Sequence, residues 1–191
     1  METMPGNQHK PASSLEVKEG EPKIHTVYAY IQPREAHGGW NRTDKVLALY
    51  TNQEEPIALA RMNDMFATEA DVITPLHVYE REEDLPEEIR KSMRPDNGRR
   101  APMAVLEKEK DVVYSVLPNT ESTEGSGESF IWALVTDPAL ANKIASGNGP
   151  SGSNAKVVAL PLNKFPIAEG QAGDVVIRRD KKGGLTDELY A

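Results

Sequence analysis

The same succession of local signals occurs twice along this chain, and that recurrence limits the architectures open to it more than any other feature. Ile24-His25-Thr26-Val27-Tyr28-Ala29-Tyr30-Ile31 is dense in β-branched and aromatic residues and reads as a strand. A loop holding Pro33 and the pair Gly38-Gly39 leads to a second strand, Lys45 to Tyr50. Thr51-Asn52-Gln53-Glu54 has the spacing of a capping box, with Thr three residues before Glu. Ile57, Leu59, Ala60, Met62, Met65 and Phe66 follow near helical spacing, which predicts a helix to about Thr68. Asp71 to Tyr79 is a third strand, and Pro75, having no N–H to donate, assigns it to an edge or a bulge.

The order then recurs. Asp111 to Leu117 reads as a strand, Pro118 to Ser129 as a polar loop, and Phe130 to Val135 as a second strand. Thr136-Asp137-Pro138 is a helix start, with Asp as cap and Pro at the first helical position. Ala139 to Ala145 forms the helix, closed by Gly147, and Lys156 to Leu162 is the returning strand. Val27-Tyr28 matches Val113-Tyr114 at an offset of 86, whereas Ala48-Leu49 matches Ala133-Leu134, and Val72-Ile73 matches Val157-Val158, at 85. A repeat of this length predicts an α+β fold of two tandem ββαβ units with a mainly antiparallel sheet. One unit is a small sheet with one helix and buries little alone, so the two must pool a core. Val27, Ala29, Leu47, Leu49, Leu59, Met62, Phe66, Ile73, Val113, Ile131, Ala133 and Val158 are the expected core.

This divides the chain into five parts. Residues 1–23 are an extended polar arm and 24–79 the first ββαβ unit. Residues 80–102 are a charged connector with a short surface helix over Leu85 to Met93, its acids early and its bases late as the helix dipole favours. Residues 103–180 are the second unit with extra strands at Met103–Leu106 and Gly173–Asp180, and 181–191 are a polar tail.

Chemistry is excluded more readily than assigned. The absence of cysteine removes disulfides, thiolate metal sites and thiol nucleophiles. No recognisable signal peptide opens the sequence and no apolar run approaches a membrane span, so a cytoplasmic or virion location is expected, without membrane association. A net charge of −8 disfavours nucleic acid as a partner. The histidines His9, His25, His37 and His77 lack metal-ligand spacing, so neither a metal nor a cofactor is expected. The glycine-rich stretch Gly147 to Asn154 precedes a strand, the reverse of a phosphate loop, and Glu124-Gly125-Ser126-Gly127-Glu128 lacks nucleophile-elbow spacing. No catalytic residue is singled out.

One string stands apart. His37-Gly38-Gly39-Trp40-Asn41-Arg42 places His37, Trp40 and Arg42 in an inter-strand loop, and Trp and Arg are frequent contact hot spots, so these three are the candidate binding residues. The profile predicts a non-enzymatic interaction or assembly protein, of the kind found among small phage structural and regulatory proteins, binding a protein partner or itself. Two alternatives stand beside it. The acidic run Glu80 to Glu88 suits an inhibitor that occupies the nucleic-acid-binding surface of a host protein, and a cleft between the two halves suits an enzyme site.

Overall fold

The fold was analysed in a computed structural model, which describes residues 24–33, 42–63, 72–93, 107–118, 128–147, 155–167 and 174–179. The expected arm, the Met103–Leu106 strand, the tail, Met65 and Phe66 lie outside the described residues.

The strands are β1 (Ile24–Gln32), β2 (Arg42–Tyr50), β3 (Ile73–Tyr79), β4 (Val112–Pro118), β5 (Glu128–Phe130), β6 (Ala133–Val135), β7 (Ala155–Pro161) and β8 (Asp174–Arg179). The helices are α1 (Glu54–Asn63), α2 (Glu87–Ser92) and α3 (Pro138–Ala145), with a 3₁₀ turn at Glu82–Asp84. All eight strands join one sheet in the order β5-β8-β2-β1-β3-β6-β4-β7. Pairing is antiparallel except for β3 with β6 and β5 with β8.

The expected strand Phe130 to Val135 is instead split. The Ile131 N–H turns to the Val176 carbonyl on β8 at 3.0 Å, and the Trp132 N–H to the Val116 carbonyl on β4 at 3.0 Å. The strand therefore changes neighbours at Ile131-Trp132, joining β8 before the break and β3 and β4 after it. At the other end of the order β7 reaches back to β2. Leu162 bridges Leu49, the Asn163 N–H donates to the Leu49 carbonyl at 2.8 Å, and the Ile167 N–H donates to the Leu47 carbonyl at 2.8 Å. These bonds curl the sheet until its two halves meet.

Strand alternation sorts the side chains onto two faces. Val27, Ala29 and Ile31 on β1, with Val113 and Leu117 on β4, enter one central cluster with Leu76, Val78, Ile131, Leu134, Leu160, Val175 and Ile177. A bulge adjusts β2 to the same core. Tyr30 pairs with Ala48 but Ile31 pairs with Val46, leaving Leu47 as the extra residue. The bulge reverses the alternation, so Val46 and Leu49, three apart, both reach the central cluster. Leu47, expected in that core, is half-buried beneath α1 instead. Pro75 sits in regular pairing with Tyr28, and β3 has a second neighbour only at Tyr79, so the proline costs no ladder bond.

The outer faces carry two further clusters. Tyr79, Tyr114, Val116, Phe130, Trp132, Ala133, Val135 and Val176 form one with Leu85, Ile89 and the α3 residues Leu140, Ala141, Ile144 and Ala145. The connector is thus more than a solvated face, since Leu85 and Ile89 are buried while Glu82, Glu83, Glu87, Glu88, Arg90 and Lys91 are exposed. Arg81 holds Asp84 through two hydrogen bonds of 2.9 Å, and Lys143 on α3 pairs with Glu82. The other outer cluster is smaller: Tyr30, Ala48, Tyr50, Ala60 and Val72.

Among the described residues three buried polar groups break the apolar pattern, Asp44, Thr74 and Ser115. Ser115 lies between Leu134 and Val158 on β4, fully buried, and its hydroxyl has no hydrogen-bond partner. A buried unpaired hydroxyl costs about 1–3 kcal/mol. Ser115→Ala is therefore expected to leave stability unchanged or raise it by about 1 kcal/mol in urea denaturation. A loss above about 1 kcal/mol means the hydroxyl is bonded.

Candidate interaction surface

The two main helices cover their sheet faces unequally, and the sequence explains why. On α3 the Asp137 carboxylate accepts from the Ala139 N–H at 3.1 Å and Pro138 fills the first turn, so the helix starts as its sequence predicts. Pro138, Leu140, Ala141, Ile144 and Ala145 are all buried against β4, β6 and β7.

On α1 the cap is Asn52 rather than the expected Thr51. The Asn52 Oδ1 accepts from the N–H groups of Glu54 and Glu55 at 3.1 and 3.3 Å. Thr51 is drawn away by Asn163, whose Oδ1 accepts from the Thr51 N–H at 2.9 Å and from its hydroxyl at 3.1 Å. Asn163 has φ 55°, a left-handed conformation that Asn tolerates better than most residues. On α1 only Pro56 and Ala60 are buried. Met62, expected in the core, is 80% exposed. The correction follows from helix geometry: at 3.6 residues per turn, the buried line through Pro56 and Ala60 leaves Met62 on the outward side.

Near α1, Phe165 is 47% exposed and its ring stands 6.0 Å from that of Tyr30, tilted by 55°. The Tyr30 hydroxyl accepts from the Asn63 side-chain amide at 3.5 Å. Tyr50 lies beneath the same cover, and burial, then the Glu55 carboxylate and Tyr30, raise its phenol above the usual tyrosine range. Met62 and Phe165 are the exposed large hydrophobic residues among those described, Met62 on α1 and Phe165 beside Tyr30 of the smaller outer cluster.

The residues read from sequence as candidates are not brought together here. His37 and Trp40 lie outside the described residues. Arg42 opens β2, opposite Arg179 of β8 in the antiparallel register. Of the strand histidines, His25 bonds Glu80 at 3.0 Å, and His77 meets Tyr79 edge-on at 6.3 Å. Among the described residues no three His, Cys, Asp or Glu gather as metal ligands, and no helix is long and apolar enough to cross a membrane. Met62 is not legible as a surface residue in the sequence because a Met at helical spacing reads as core. The signal that could have exposed Met62 is the placement of Pro56 and Ala60, which mark a narrow buried line.

The molecule is a mixed α/β chain with a curled, mostly antiparallel sheet and few helices. Comparison with protein-family models, with curated proteins and with solved structures found no match.

Proposed function

We propose that this protein is a non-enzymatic interaction or assembly module whose contact surface is the outer face beside α1. The observation that carries this reading is the contrast between the two covers. The α3 face is sealed by five buried helix residues, while the α1 face leaves Met62 and Phe165 open. Exposed apolar side chains beside a thinly covered sheet face suit a protein contact.

A second proposal concerns origin: the two halves are copies of one ββαβ unit. The strand registers support it. Tyr28 pairs with Tyr50 and Pro75, and Tyr114 pairs with Val135 and Ala159, so each half sets its first strand between the other two. The contacts between halves are reciprocal as well. The Thr136 N–H donates to the Tyr79 carbonyl at 3.1 Å, and the Thr51 N–H donates to the Asn163 side chain at 2.9 Å. In register the returning strands correspond at an offset of 84, Leu76 with Leu160, rather than the 85 expected. In this reading β8 has no counterpart, and it joins the starts of β2 and β5.

The contact surface is tested by native mass after mild cross-linking in the natural source. The chain is expected in a particle heavier than its own 21.0 kDa, and the double variant Met62→Lys/Phe165→Asp in a lighter one with unchanged thermal stability. A wild-type particle of 21.0 kDa, unaffected by the two substitutions, overturns the reading.

A further inference from the structure

We propose that the partner at this face is a second copy of the chain, with α1 of one copy packed antiparallel against α1 of the other about a two-fold axis passing near Ala58. This rests on the reading of the α1 face as a contact surface and gives it an occupant.

The argument begins with positions around the helix. Each residue turns the helix by about 100°, so Ala58 lies almost opposite the buried line of Pro56 and Ala60, with Met62 and Glu55 on one side of it and Glu54 and Arg61 on the other. Glu54, Glu55, Ala58, Arg61 and Met62 are all exposed. The outward stripe is therefore small at its centre, apolar at Met62, acidic at the start and basic near the end. Glu54 and Glu55 fill the first turn and Arg61 the last.

That order is complementary to itself only when reversed. An antiparallel pair centred on Ala58 sets residue 61 opposite the partner's Glu54 on one side of the contact and residue 62 opposite the partner's Glu55 on the other. Arg61 thereby comes beside the partner's Glu54 carboxylate at both ends of the contact, while Met62 lies along the methylene groups of the partner's Glu55. The parallel alternative stacks acid on acid and base on base. Antiparallel packing also opposes the two helix dipoles. Alanine at the crossing allows the axes to approach to about 8–10 Å, the separation of packed helices. A two-fold contact of this kind is isologous, so every favourable pairing occurs twice and the assembly closes at two copies.

The test uses the full chain. Light scattering of the pure protein is expected to give twice 21.0 kDa, with Ala58→Glu shifting the dissociation constant at least tenfold while leaving the melting temperature in place, because Ala58 is exposed in the single chain. Glu54→Arg is expected to weaken the dimer, and Glu54→Arg combined with Arg61→Glu to restore it. A photo-reactive benzoyl-phenylalanine in place of Met62 then separates the possible occupants. A chain-to-chain adduct in pure protein supports the second copy. An adduct formed only in extract, with a different protein, overturns the second copy and leaves the contact surface standing. No adduct in either overturns both. A dimer that Ala58→Glu does not weaken overturns the α1 pairing.

Discussion

Ile177→Asp is expected to remove most of the stability of this protein, with a loss above about 4 kcal/mol. Ile177 is fully buried on β8, where it joins the central cluster with Val175 while Val176 faces the outer one. Its antiparallel partner across β2 is Asp44, itself fully buried. A second carboxylate directly opposite would be desolvated and would face a like charge. A single uncompensated buried charge costs about 3–5 kcal/mol, and the lost isoleucine packing adds to it. Small domains hold about 5–15 kcal/mol in total, so the variant should be largely unfolded at room temperature. Ile177→Ala separates packing from charge and is expected to lose about 2–5 kcal/mol. Urea denaturation followed by circular dichroism measures both. A loss below about 1 kcal/mol in the alanine variant would mean that β8 does not hold the two halves together.

Gly147→Ala is the second large effect, and its sign is the informative part. A glycine that merely lowers backbone order gains about 0.4–1 kcal/mol on replacement by alanine. Gly147 differs, because a Cβ there would overlap the Ser92 carbonyl oxygen and stand 3.1 Å from that of Ile144. Both obstacles are backbone, at the ends of α2 and α3, and neither can swing aside as a side chain would. Its φ lies outside the left-handed region, so the constraint is contact rather than conformation. Overpacking of this kind costs about 1–3 kcal/mol, and the two helix ends must separate to relieve it. An alanine variant as stable as the parent would show that α2 does not abut α3.

Much of the local structure was legible. The Asp137-Pro138 start of α3 needs only a side-chain oxygen two residues before an N–H, and so depends on nothing distant. The strand cores Val27 to Ile31 and Val113 to Leu117 carry β-branched and apolar residues in sequence, and they lie where that composition puts them. The α1 cap is ambiguous in the sequence because Thr51 and Asn52 are both good caps. The choice fell to Asn163, 112 residues away, whose side chain engages Thr51 and leaves Asn52 to the helix.

By itself, then, the sequence determined the order of elements, the alternation that sorts Val27, Ala29 and Ile31 from Tyr28 and Tyr30, the α3 cap, and the exclusion of thiol chemistry. Each of these follows from neighbouring residues or from composition. Only the tertiary structure decided that both halves share one sheet, that Ile131 and Trp132 divide a strand between β8 and β4, and that the β2 bulge sends both Val46 and Leu49 inward. It alone buried Leu85 and Ile89 beneath a charged connector and left Met62 outside. The physical reason is common to all of them. Which face of a helix or strand is buried depends on what arrives to cover it, and here the covering strand or helix lies tens of residues away, where local periodicity carries no information.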